Sequence, residues 1–192
     1  MSDYFQRELA SRSDTPVPGV FEEVITTLNI EDCIPTIFES FHDWLLGRRL
    51  PARLRSSGHE AFLDHHQNEL FELYVFAHRF DVPQLRRDSL DAYIKLCVEG
   101  SILPPPKHIA AAYESMLPEV PMIDFMLDAY ASMWDGMEKF EVLDEYRAWM
   151  SLPAHFFRKL ARRRFSQLHL HDTEAQGCRF DLCNYHEHLG AS

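Results

Sequence analysis

The chain has 192 residues, 46% of them hydrophobic and 26% charged, which fits one large globular domain or a domain with an appendage. Its net charge of −11 disfavours broad contact with nucleic acid or with an acidic membrane surface. Four scattered cysteines exclude a disulfide scaffold, and no run of apolar residues is long enough to span a bilayer, so the reading is an intracellular, reducing location.

In chain order, residues 2–10 read as a short amphipathic helix with Tyr4, Phe5 and Leu9 inward, followed by a polar, proline-rich loop over 11–19. Val24 to Ile30 alternates apolar and polar residues and predicts the one short strand. A helix follows, with Glu31 or Asp32 as its cap and Pro35 in its first turn. Ile34, Ile37, Phe38, Phe41, Trp44 and Leu45 give it a near-ideal amphipathic series. Residues 51–66 read as a loop running into the start of the next helix, so His59, His65 and His66 are solvated rather than metal ligands.

Glu69 to Cys97 predicts a helical hairpin with a tight corner. Leu70, Leu73, Tyr74, Ala77 and Phe80 line its first helix, and Leu85, Leu90, Ile94 and Cys97 its second. Asp81 caps the second helix, Pro83 starts it, and Arg86, Arg87 and Asp88 face water. Three consecutive prolines at 104–106 then break the chain. Beyond them come stripes at Ile109, Ala112, Tyr113 and Met116, and at Ile123, Met126, Leu127, Tyr130 and Trp134. A shorter helix spans Glu141 to Met150, and a last one begins near Leu152–Pro153 and carries Phe156, Phe157, Leu160 and Phe165. Met122, Met126, Met133 and Met137 fit core packing first and an adaptable groove second.

Two features bear on chemistry. Arg158, Lys159, Arg162, Arg163 and Arg164 form a basic cluster, read first as a solvated face complementing the helix dipole, then as a localisation signal, and last as a nucleic-acid patch. Cys178, Cys183, His186 and His188 have C-x4-C-x2-H-x-H spacing, a donor set that suits structural zinc, with His169 or His171 as a substitute for one terminal histidine. The competing reading is a polar tail rich in histidine. The sequence holds no G-x-S-x-G, no glycine-rich phosphate loop and no H-E-x-x-H, so the reading is not an enzyme.

The corner of the hairpin resembles the end of a BTB/POZ domain, closest to the fungal BTB proteins of uncharacterised function. Leu73, Tyr74, Ala77, Phe80, Asp81, Val82, Pro83, Leu85 and Arg86 carry the match. Trp44, Leu45, Gly47 and Leu50 resemble the family's W-L-Y-x-G-x-L stretch, with Leu46 in place of its tyrosine. Ser2 to Phe5, the Ile109 to Glu114 segment, and Cys183, Tyr185, His186 and His188 resemble further parts of the same proteins. The family's strand–helix–strand unit that precedes the first of these has no counterpart here.

The resemblance implies a mainly α fold: a partial BTB/POZ-like domain with one short β element at 1–100, a helical C-terminal extension at 101–168 and a Cys/His-rich tail at 169–192. It implies a protein–protein interaction module for oligomerisation or scaffolding, with another BTB protein or a cullin as partner. The alternatives are a substrate adaptor of a cullin-type ubiquitin ligase, and a nuclear regulator whose zinc-stabilised tail contacts nucleic acid.

Overall fold

The computed structural model describes residues 33–50, 59–117, 119–134, 143–170 and 182–185, and of 59–62, 143–145, 167–170 and 183 the backbone only. The protein is mainly helical: α1 Pro35–Gly47, α2 His59–Arg79, α3 Pro83–Gly100, α4 Pro106–Ser115, α5 Pro121–Met133, α6 Leu143–Met150 and α7 Ala154–Leu170, then a short 3₁₀ turn at Leu182–Tyr185. The described residues include no strand. The expected helix over 2–10, the loop over 11–19 and the strand over 24–30 lie outside the described residues.

Proline starts α1, α3, α4 and α5. The ring fixes φ near the helical value, and the missing N–H is one that no helix start can use internally. In none of the four does the N-cap side chain make a capping hydrogen bond; the N-cap of α3 is Val82, so Asp81 does not cap it, and the N-cap of α1 is Ile34, while Glu31 and Asp32, the expected caps, lie outside the described residues. Asp81 instead closes α2. It adopts a left-handed φ of 49°, and the next N–H, from Val82, reaches back to the Ala77 carbonyl at 2.9 Å. Aspartate tolerates this conformation better than most residues. Ser101 repeats the device after α3, at φ 51°, with Ile102 N–H on the Cys97 carbonyl at 3.0 Å.

The α2–α3 hairpin is the most extensive helix pair. Its corner buries Leu73, Phe76, Ala77, Phe80 and Leu85 beneath Ile37, Phe41 and Trp44 of α1. The larger core cluster starts on the other side of the hairpin at Leu70, Phe71, Tyr74, Tyr93, Ile94 and Cys97. It continues without interruption into Ile109, Ile123, Phe125, Met126, Trp149, Phe156 and Leu160. The prolines at 104–106 therefore break helix but not packing, and the Tyr130 hydroxyl donates to the Pro104 carbonyl at 2.6 Å, pinning the turn to α5. Met122 and Met126 are wholly buried core residues.

α2 begins at His59, ten residues before the predicted hairpin start. Its early turns carry few large apolar residues, so their periodicity is weak in sequence. Along them His65 is exposed, and His66 is half-buried with Nδ1 3.7 Å from the Glu69 carboxylate.

Candidate functional site

The first element of the candidate surface is α1. The predicted apolar series is present, but only part of it meets α2. Ile37, Phe41 and Trp44 are buried, whereas Ile34, Phe38 and Leu45 remain 51, 39 and 49% exposed; Leu46, outside the predicted series, is 75% exposed. At 100° per residue, positions 34, 38 and 45 fall within about 40° of one another, a straight stripe beside the buried one. The helix is thus apolar over a wider arc than the hairpin covers.

α1 is held firmly from beneath. Phe41 stacks against Trp44 at 6.3 Å and meets Phe76 at 5.0 Å. The Trp44 indole N–H donates to Asp88 Oδ2 at 2.8 Å, and the Arg48 guanidinium lies 4.5 Å from the indole ring centre. Asp88 therefore does not simply face water, and Arg86 and Arg87 are half-buried. The Ser40 hydroxyl donates to Glu69 Oε1 at 3.0 Å, a buried polar tie between α1 and α2. Full burial of Ile37, Phe41 and Trp44 contributes roughly 1.5–3 kcal/mol each.

A buried polar seam runs along α2 next to this tie. Gln67 Nε2 donates to Cys97 Sγ at 3.2 Å and to the Leu103 carbonyl at 3.3 Å. His108 is buried against Phe71, ring centres 4.3 Å apart and nearly parallel. Its Nε2 lies 3.2 Å from Asn68 Oδ1, which only accepts, so Nε2 carries the proton and Nδ1 accepts from the Tyr93 hydroxyl at 2.9 Å. Burial, with the neighbouring Lys107 charge, brings the His108 pKa down to about 3. Burial also pushes the Cys97 thiol up to about 12, against the Gln67 hydrogen bond. Both groups are neutral at pH 7 and act as structural pins. Cys33 is only partly covered.

The basic cluster of α7 divides. Arg163 donates to Asp124 Oδ1 at 2.7 Å and to the Asp124 carbonyl at 3.2 Å, and pairs with Asp128. Burial disfavours its charge, but the hydrogen bond and charges of Asp128 and Asp124 outweigh that and raise its pKa. Arg164 donates to the Trp134 carbonyl at 2.9 Å and lies over its ring. These two arginines bind α7 to α5 rather than face solvent. Arg158 and Arg162 are exposed.

Of the zinc residues expected from sequence, Cys178, His186 and His188 lie outside the described residues, as does the Cys183 side chain. Among the described residues no group of His, Cys, Asp and Glu is arranged to hold a metal. Tyr185, from the same stretch, is buried. Its hydroxyl donates to Asp128 Oδ2 at 2.9 Å and its ring meets Phe125 edge-on at 5.7 Å. Burial first, and then Asp128, raise its pKa. Tyr185 also lines a cleft of about 250 Å³ with Tyr74, Asp81, Arg86, Arg87 and Leu90.

Sequence reasoning missed the Asn68–His108–Tyr93 chain, the Trp44–Asp88 bond and the Arg163 clamp. The one local signal was the polar run Gln67-Asn68-Glu69 directly before the apolar stripe that starts at Leu70. Among the described residues no helix is long and apolar enough to cross a membrane. No family model, no curated protein and no solved structure matches the chain.

Proposed function

We propose that this protein is a non-enzymatic protein–protein interaction module of BTB/POZ type, serving oligomerisation or scaffolding. The observation that carries the reading is the exposed stripe of Ile34, Phe38 and Leu45, with Leu46 beside it, on a helix locked from below by Trp44 and Ser40. Scattered surface leucines are ordinary, but three large apolar residues on one rigid thirteen-residue helix, with a fourth at its N-cap, form a patch of the kind that associates. The helix needs no rearrangement to bind, so little affinity is lost to ordering.

The test is the mass of the purified chain by light scattering across a concentration series, alongside Phe38→Glu and Leu46→Glu variants. The expected result is a dimer or larger species that both variants reduce to monomer with unchanged helicity. A wild-type monomer at every concentration that also fails to bind a purified cullin N-terminal domain would sink the reading. Cullin binding abolished by the same variants would move the function to the ligase-adaptor alternative.

A further inference from the structure

A second surface, on α7, differs in chemistry from the α1 patch. The inner side of α7 packs through Phe156 and Leu160 and is clamped by Arg163 and Arg164. Its outer side carries Phe157, Ala161 and Phe165 at i, i+4 and i+8, a straight line about 12 Å long. Phe157 is 39% and Phe165 64% exposed. Phe157 is not a loose side chain: its ring rests on Trp149 at 6.0 Å and on Phe156 at 5.6 Å. Met150 of α6, next to Trp149 in the chain, is also exposed.

Beside this apolar line run Arg158 and Arg162, one helical turn apart and both exposed. Among the described residues neither has an ion-pair partner, although the chain carries a net charge of −11. Two neighbouring guanidinium groups without an ion-pair partner among the described residues, in an acidic protein and alongside an apolar line anchored at Phe157, define one kind of complement. It has apolar side chains at helical spacing and carboxylates on one flank, because guanidinium groups recognise carboxylates in a two-pronged geometry.

We propose that the outer face of α7 binds an acidic amphipathic helix of a protein partner, with its apolar side chains on Phe157 and Phe165 and its carboxylates on Arg158 and Arg162. A polyanionic surface is a poorer fit. Nucleic acid or an anionic membrane extends beyond the patch and meets the remaining acidic surface, where the net charge repels it. A single helix meets only the patch.

The experiment selects peptides from a random sixteen-residue library displayed on phage against the intact chain. The recovered peptides are then synthesised and their affinity measured for wild type, for an Arg158→Glu/Arg162→Glu variant and for a Phe157→Ser/Phe165→Ser variant. Circular dichroism and melting check that both variants keep the fold. The expected result is enrichment of peptides that combine Asp or Glu with Leu, Phe or Trp at spacings of three and four, binding each variant at least tenfold more weakly. Three results would overturn the proposal: no enriched pattern, enrichment without acidic residues, or peptides that bind both variants as well as wild type. So would tighter retention of wild type, dependent on Arg158 and Arg162, by oligo(dT) or by phosphatidylserine vesicles.

Discussion

Trp44 and Asp88 are 44 residues apart in sequence, and their side chains meet at 2.8 Å, tying α1 to α3 across the flank of α2. Asp88 also accepts from Gln84 Nε2 at 2.7 Å, so one carboxylate serves two donors. The indole lies in the smaller core cluster, with its single donor directed at that carboxylate. Replacing Asp88 by Ala strands a buried N–H. The expected cost is about 1–3 kcal/mol in urea unfolding. Trp44→Phe, which removes donor and need together, should leave Asp88 less critical, and a double-mutant cycle reads the coupling directly.

His108 predicts a pH dependence of stability. Its pKa falls from 6.5 to about 3 on folding. Between those values the unfolded chain binds a proton that the folded chain refuses. The stability is therefore fully present above pH 6.5 and is lost as pH falls toward 3, by about 1.4 kcal/mol per pH unit from this group. Urea unfolding at several pH values in that window should show the slope. A His108→Gln variant should be weaker at neutral pH yet lose one proton's worth of slope; an unchanged slope would assign the acid sensitivity to another group.

Arg163, Asp124, Asp128 and Tyr185 form one charged network that fastens α7 and the Leu182–Tyr185 turn to α5. Arg163→Ala leaves two partly buried carboxylates without their cation. A loss of about 2 kcal/mol is expected, less than for a fully buried pair because solvent reaches both partners. Tyr185→Phe should cost about 1 kcal/mol and leave helix content unchanged, measured by circular dichroism and melting.

Tyr113 offers a prediction of the opposite sign. Its ring meets His155 edge-on at 4.4 Å, and burial, with the Asp124 charge, pushes its pKa up to about 12. Neither its hydroxyl nor His155 Nε2 has a hydrogen-bond partner among the described residues. Tyr113→Phe removes a buried polar atom and keeps the ring. Stability should be unchanged or higher, by up to about 1 kcal/mol; a clear drop in the melting midpoint would show that the hydroxyl is satisfied in solution.

Much of the fold was legible because it is local. The stripes at Leu70 to Phe80 and Leu85 to Cys97 are periodic enough to identify the hairpin and its core side, and proline marked where helices begin. The same local logic failed at Asp81. A carboxylate before a proline reads as a cap, but the end of α2 required a left-handed residue there, and that requirement prevailed. The polar run Gln67 to Glu69 reads as solvent-facing until Ser40, Cys97 and His108 supply its partners from three other elements. Of the candidate surface, the apolar series of α1 from Ile34 to Leu45 was legible, but not Leu46 as a part of it, nor which half would stay exposed.

The sequence by itself determined where the chain coils, which residues share a helix face, and that proline starts the turns, since these depend on neighbours within a few residues. Only the tertiary structure decided what each face meets. Phe156 is buried and Phe157 half-exposed; Arg163 is clamped and Arg162 faces solvent. Each pair differs by one residue, a rotation of about 100° on the helix. Periodicity fixes that rotation relative to the helix itself, while burial depends on the direction from which α5 approaches, and residues distant in the chain set that direction.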